Sequence, residues 1–241
     1  MAIAVLLAAE GARVTIVDRD VERAQYTQGL IEAEGNQALA VIADISDDLD
    51  CGRAVEATLE RFGRLDILVN NAGITGGGPS LEALDLSVWQ RTLDVNLKGA
   101  LMMARRAVPA MKAAGGGSMI HIASVAGLLS SGGGFAYGPS KGGMIALSRD
   151  IAVAYGRAGI RSNVICPGHM FTPLVSDMPA EKRTLRRKIA PLGVEGDAWD
   201  IAEATVFLAS DAARFISGAC LPVDGGATVT LGLRSFELAG E

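Results

Sequence analysis

Apolar residues along the chain fall into two alternating patterns. Short runs rich in β-branched residues occur at Val14–Val17, Ala38–Ala43, Leu65–Val69, Ser118–Ile122, Arg161–Ile165 and Ala219–Val223. Their hydrophobicity is continuous rather than alternating, as in ILVN and VTIVD, which predicts strands buried on both faces. Longer segments near 2–9, 20–34, 47–61, 87–113, 135–158 and 197–210 predict helices. Strand and helix in alternation imply right-handed crossovers and a doubly wound parallel sheet in three αβα layers. The expectation is an α/β chain forming one domain over residues 1–241, without repeats or linker-like tracts.

In such sheets ligands bind beyond the carboxyl ends of the strands. The residues there are Asp18, Asp44, Asn70-Asn71-Ala72-Gly73, Ser124 and Pro167-Gly168, all polar or backbone-exposing. Composition narrows the partners: 49% hydrophobic residues, 30 glycines and a net charge of -5 suit a globular α/β protein. They disfavour nucleic acid, whose phosphates need a basic face. The densest basic run, Lys182-Arg183 with Arg186-Arg187-Lys188, is expected to be a solvated helix face. No apolar stretch approaches the ~18 residues of a membrane span. The segment MAIAVLLAAEGARV lacks a basic leader region and is read as a helix of the fold. Three cysteines without CxxC spacing suggest reduced thiols in a cytoplasmic protein. Two isolated histidines, His121 and His169, point to no metal site, and His121 is expected to be structural.

The chemistry gathers around Tyr137 and Lys141, four residues apart at the start of a helix and therefore on one face. Pro139 between them is tolerated in a first turn, where its missing N–H has no partner. A nearby ammonium is expected to lower the phenol pKa from about 10. Ser124, at a strand end, can place a hydroxyl at the same point. Taken alone, Tyr-x-x-x-Lys could equally be a chance pair on a helix surface.

An ordered set of motifs removes that ambiguity. Tyr137-Gly138-Pro139-Ser140-Lys141, with Ser124 thirteen residues upstream in IASVAG, resembles the YxxxK signature of short-chain dehydrogenases/reductases. Asn70-Asn71-Ala72-Gly73 resembles the family's NNAG turn, and Asp94-Val95-Asn96-Leu97-Lys98-Gly99 resembles the segment carrying its fourth catalytic residue. Pro167-Gly168 followed by Thr172 resembles PGxxxT, and Val223-Asp224-Gly225-Gly226 resembles the VDGG near the family's C-terminus.

The resemblance implies a Rossmann-like fold and hydride transfer between a nicotinamide cofactor and an alcohol or carbonyl, either a secondary alcohol/ketone pair or a 3-oxoacyl-type carbonyl. Tyr137 would be the general acid/base and Lys141 would lower its pKa and hold the nicotinamide ribose. Ser124 would polarise the substrate carbonyl, and Asn96 would hold a water linking Lys141 to solvent. Cofactor contacts are expected from Asp18, Asp44, Ile45, Asn71, Ala72, Gly73, Tyr137, Lys141, Pro167, Gly168, Met170 and Thr172. Asp18 could accept from both adenosine ribose hydroxyls and would repel a 2′-phosphate, favouring NAD over NADP, although Arg13 and Arg19 lie near it in sequence. Asp18 and Asp44 could instead cap the helices that follow them.

One part of the family pattern has no counterpart. A strand and a TGxxxGIG turn should precede the helix at 2–9, and no other glycine cluster replaces that turn. The strands at 14–17 and 65–69 would then flank a gap of about 9–10 Å. Three readings are open: a piece of a longer chain, a repacked sheet pairing 14–17 directly with 65–69, or a relative poor in cofactor binding. A non-catalytic binding module is accordingly the alternative function, and a sugar-nucleotide epimerase is disfavoured by the short segment after Asp224. The substrate pocket is expected from residues 74–80, 128–135 and a lid near 169–190 bearing His169, Met170, Phe171 and Met178. The substrate would be a small alcohol or carbonyl, such as a cyclic or aliphatic ketone, a polyol or an acyl thioester. Gly76-Gly77-Gly78 and Gly132-Gly133-Gly134 are read as flexible loops. The small residues of helix 135–158, with helix 87–113, imply a homotetramer.

Overall fold

The computed structural model describes residues 1–78, 80–130, 135–172 and 175–230. The glycines at 132–134 and the tail bearing Phe236 and Leu238 lie outside the described residues. In chain order the elements are α1 (Ala2–Ala9), β1 (Val14–Asp18), α2 (Val21–Ala33), β2 (Ala38–Ile42), α3 (Asp48–Phe62), β3 (Ile67–Asn70), α4 (Leu86–Leu93), α5 (Gly99–Ala113), β4 (Gly117–Ile122), α6 (Tyr137–Tyr155), β5 (Ile160–Pro167), β6 (Met170–Phe171), α7 (Ala180–Ile189), β7 (Gly196–Asp197), α8 (Ala198–Ala209) and β8 (Cys220–Val223). All strand pairings are parallel, as the alternation requires.

Local chemistry sets the boundaries. Asp20, Asp47 and Asp197 cap α2, α3 and α8 with their carboxylates, and Asp197 and Asp200 complete a capping box. Gly63 ends α3 in the left-handed region at φ 80°. Asp18 and Asp44 are therefore not the caps of α2 and α3. The predicted helix 87–113 is broken by a π turn at Asp94–Lys98, whose extra residue carries Asn96 inward to full burial. Helix α7 carries the basic run Lys182-Arg183 with Arg186-Arg187-Lys188, which was expected to lie on a helix face.

The sheet is in two pieces, β1-β2 and β3-β4-β5-β8, with β6-β7 as a separate short pair. Direct pairing of 14–17 with 65–69 does not occur. Helices join the pieces instead. On one face Ile3 of α1 joins Ile67 and Val69 of β3 in lining the cluster that holds Ile201 of α8, while Ala4, Val5 and Ala8 share a second cluster with Val14, Ile16 and Ile31. On the other face α3 packs Cys51 and Val55 on Leu68 of β3, and its Thr58 hydroxyl bonds Thr15 of β1 at 3.0 Å. Side-chain burial thus spans what the backbone ladder does not, and the carboxyl ends of all main strands stay on one rim.

Candidate active site

Ser124 follows β4 with extended backbone, φ -174°, and starts a 3-10 turn at Val125–Gly127 by accepting the Ala126 N–H at 3.1 Å. That turn lies flat on α6 because residue 127 is glycine: a Cβ there would stand 2.7 Å from the Lys141 carbonyl carbon and 2.8 Å from the Gly142 nitrogen. Tyr137 opens α6 with its phenol beside the Ser124 hydroxyl, which lowers the phenol's pKa. One turn on, the Lys141 ammonium lies 5.7 Å from the centre of the Tyr137 ring and donates to the Ile122 carbonyl at 2.8 Å. Lys141 is 3% exposed. Serine, tyrosine and lysine therefore converge as the motif implied.

Their electrostatics differ from the expectation. Burial pushes the Tyr137 phenol up from its ordinary value, against the lowering effect of the Ser124 hydrogen bond. Burial also pulls the Lys141 ammonium down to about 8. Burial is the largest cause of both shifts, because removal of water penalises the charged form of each group.

Asn96 anchors the floor. Its Oδ1 accepts from the Ile74 N–H at 2.8 Å, and its Nδ2 donates to the Ile74 carbonyl at 2.9 Å and to the Ser140 hydroxyl at 3.0 Å. Ser140 in turn donates to the Tyr137 carbonyl at 2.7 Å. The Asn96 side chain thus pins the turn after β3 to the first turn of α6. Gly73 permits the approach, since a Cβ there would be 3.3 Å from both the Asn96 Oδ1 and the Lys141 Nζ.

The residues expected to hold a cofactor line the same rim. Asp18 uses one carboxylate oxygen to accept the Asp20 N–H at 3.0 Å. Arg13 is at the opposite end of β1, 5.5 Å above the Phe62 ring, and Arg19 is exposed. Asp44 is more occupied: it accepts from both the amide and hydroxyl of Ser46 and from Arg91 at 3.0 Å, which together hold its carboxyl down at about 2. Ile45 packs beneath it against the α3–α5 core. Asn71, Ala72 and Gly73 are exposed along the cleft. Pro167 ends β5, and Gly168 fits tightly against Asp224, with its N–H on the Val223 carbonyl at 2.9 Å. Met170 and Thr172 follow as buried and half-buried residues.

These residues fit the two ends of a nicotinamide dinucleotide. The buried Lys141 ammonium uses one carbonyl among the described residues, leaving N–H donors for ribose hydroxyls, and Asp18 has a free oxygen for the other ribose. Among the described residues no glycine-rich turn joins those ends. Groups of acidic, histidine and cysteine side chains suited to a metal are not found among the described residues.

Other parts of the site were not legible. The basic run on α7 is not simply a solvated face. Arg183 donates to Glu195 at 3.0 Å and stacks 3.5 Å from the Phe171 ring centre, while Arg186 lies 3.6 Å from the same carboxylate and donates to the Met170 carbonyl at 3.1 Å. Glu195, with its side chain 3% exposed, latches the lid helix down. The i, i+3 spacing of the two arginines was the available signal. His169 is half-buried beside Arg186, with its Nδ1 unpartnered among the described residues, and burial lowers its pKa.

A family model described as enoyl-(acyl carrier protein) reductase matches residues 1–228. The chain is 37% identical over 223 residues to cis-4-hydroxycyclohexanecarboxylate dehydrogenase of Sinomonas cyclohexanicum, covering 92% of this chain and 89% of that protein. It is 36% identical over 225 residues to cyclohexanol dehydrogenase of an Acinetobacter species, covering 93% and 88%. A solved gluconate 5-dehydrogenase from Burkholderia cenocepacia, in complex with NADP and tartrate, superposes with a TM-score of 0.90 at 32% identity, covering 95% of this chain and 91% of that one.

Proposed function

The chain belongs to the short-chain dehydrogenase/reductase family, and we propose that it interconverts a cyclic secondary alcohol and its ketone, with NAD as the preferred cofactor and Tyr137 as the proton donor and acceptor. As an enzyme it is a dehydrogenase/reductase of CH–OH groups. The observation that carries the mechanism is the buried Lys141 ammonium 5.7 Å from the centre of the Tyr137 ring, fixed by the Ile122 carbonyl, with the Ser124 hydroxyl beside the phenol. When bound, the nicotinamide accepts or gives the hydride. Ser124 then holds the substrate oxygen by a hydrogen bond, and Tyr137 takes the alcohol proton or returns it to the ketone oxygen. Lys141, fixed by the Ile122 carbonyl, binds the nicotinamide ribose and supplies positive charge beneath the phenol as it loses its proton. Asn96 keeps Gly73 and the start of α6 in place around it.

Two relatives named for cyclohexane alcohols support the substrate class. NAD is favoured because Asp18 stands at the carboxyl end of β1 while Arg13 is stacked on Phe62 at the other end. A 2′-phosphate would meet a carboxylate there. Exposed Trp199, Phe207 and Phe215 near α8, with Leu101 on α5 and Val153 on α6, support a homotetramer, and the protein is proposed to be cytoplasmic.

The test is the near-ultraviolet absorbance of the reduced cofactor with cyclohexanol-type alcohols. Activity with NAD should exceed that with NADP, and Tyr137→Phe should lower kcat about 10²–10⁴-fold. Full activity in that variant would remove Tyr137 from its role. Calorimetric titration with NADH separates this reading from a binding module that holds no dinucleotide.

A further inference from the structure

Two of the three cysteines end side by side. Cys166 is next to last in β5 and Cys220 is first in β8, 54 residues apart in the chain, yet their sulfurs are 3.3 Å apart. The strands pair Val164 with Cys220 and Cys166 with Pro222, so the two side chains meet diagonally on one sheet face. That face packs on α6, through Met144 and Ile145. Both thiols are free.

Their surroundings differ. Cys166 is fully buried, lies near the backbone N–H of Ser124, and shares an electrostatic environment with Tyr137 and Lys141. Cys220 is only partly buried. The hydrogen bond between the sulfurs and the nearby Arg149 lower the Cys220 thiol, whereas that bond and burial push Cys166 up. Cys220 is therefore the sulfur that an oxidant from solvent reaches first, and its thiolate is the nucleophile. Cys51, buried under α3 and pushed up to about 11 by desolvation, is the unreactive third.

We propose that Cys166 and Cys220 are a modification site: they form a reversible disulfide on exposure to hydrogen peroxide, and this bond switches the enzyme off. The Cys220 thiolate attacks one peroxide oxygen, the O–O bond breaks, and hydroxide leaves to become water, giving a sulfenic acid. The Cys166 sulfur then attacks the Cys220 sulfur and the S–O bond breaks. Hydroxide leaves with the Cys166 proton as a second water. The two thiols lose two electrons, and the peroxide is reduced to two waters.

Closing the sulfurs from 3.3 Å to about 2.0 Å strains a diagonal pair, and such bonds are readily reduced. The strain falls on β8, which pairs only with β5 among the described residues. The movement draws the Cys166 sulfur away from the Ser124 amide and pulls on the adjoining Pro167-Gly168. Displacing Ser124 from Tyr137 on the ångström scale would cost about a hundredfold in rate. The effect on activity rests on the proposed function; formation of the bond does not.

The test treats the whole protein with hydrogen peroxide, then measures denatured thiols, maps cross-linked peptides, and assays activity before and after dithiothreitol. The expected result is a fall from three thiols to one, a peptide joining positions 166 and 220, and activity lost about a hundredfold and restored by dithiothreitol. Cys220→Ser should keep its basal activity and resist peroxide. Three persisting thiols, a bond involving Cys51, or equal inactivation of Cys220→Ser would overturn the site. A mapped bond with undiminished activity would overturn the switch. If the protein shows no dehydrogenase activity at all, the thiol count and peptide map still decide whether the bond forms.

Discussion

His121 sits at the middle of β4 with no exposed surface, its ring between Asn70 at 3.2 Å and the Ser162 hydroxyl at 3.2 Å. The Asn70 amide nitrogen also donates to the Ala100 carbonyl, so it acts as a donor to Nδ1, and Nε2 carries the proton toward Ser162. A second ring proton would face the Asn70 amide with no acceptor, and burial lowers the pKa to about 4 from 6.5. Between those values the unfolded chain binds a proton that the native state refuses, so stability rises with pH. It is lost as pH falls from 6.5 to about 4, by about 3 kcal/mol in total. Urea midpoints across that window should fall accordingly, and His121→Gln should flatten the slope. The residue's structural role was legible from its place in an apolar run. Its partners were not, because Asn70 and Ser162 come from two neighbouring strands.

Close packing at the level of elements fixes the catalytic geometry. Gly127→Ala would drive a methyl into the α6 backbone at Lys141 and Gly142. The 3-10 turn would have to lift, at a cost of about 1–3 kcal/mol, taking Ser124 with it. The expected outcome is a lower melting temperature and a kcat reduced more than KM is raised; wild-type kinetics would show that the turn does not position Ser124. Helix α7 is held differently. It has no buried residue, and its attachment is the pair of arginines on Glu195. Glu195→Ala leaves two guanidiniums facing each other, a loss of about 3–5 kcal/mol when a buried pair is broken. Trypsin should then cut within 180–189 much faster than in the parent, while the strands stay protected. Unchanged cleavage would mean that apolar contacts elsewhere hold the helix. The sequence showed a basic helix face here but not its anchor, because Glu195 lies downstream in a different segment.

The two pieces of sheet predict an uneven pattern of backbone protection across the whole molecule. The Val14 N–H bonds the Gln37 carbonyl, so amides of Val14, Ile16 and Asp18 face β2 while those of Thr15 and Val17 face away. On β3 the Asp66 carbonyl accepts from Ser118, which places the Leu68 amide toward β4 and the Ile67 and Val69 amides toward the open edge. Hydrogen exchange by NMR should show Thr15, Val17, Ile67 and Val69 exchanging much faster than Ile16 and Leu68. Equal protection would mean that another strand pairs with those edges in solution.

The sequence by itself determined the strand and helix alternation and the parallel sheet, because these depend on periodicity, and the resemblance of its ordered motifs to one family singled out Ser124, Tyr137 and Lys141. Only the tertiary structure decided what those residues meet. Asn96 interrupts a helix to reach Ile74 and Ser140, Glu195 gathers two arginines from a separate helix, and two cysteines far apart in the chain come into contact. Desolvation, the largest cause of the shifts at both Tyr137 and Lys141, is likewise invisible in a linear sequence. It depends on how much surrounding protein excludes water, and that is fixed only once all the layers have packed.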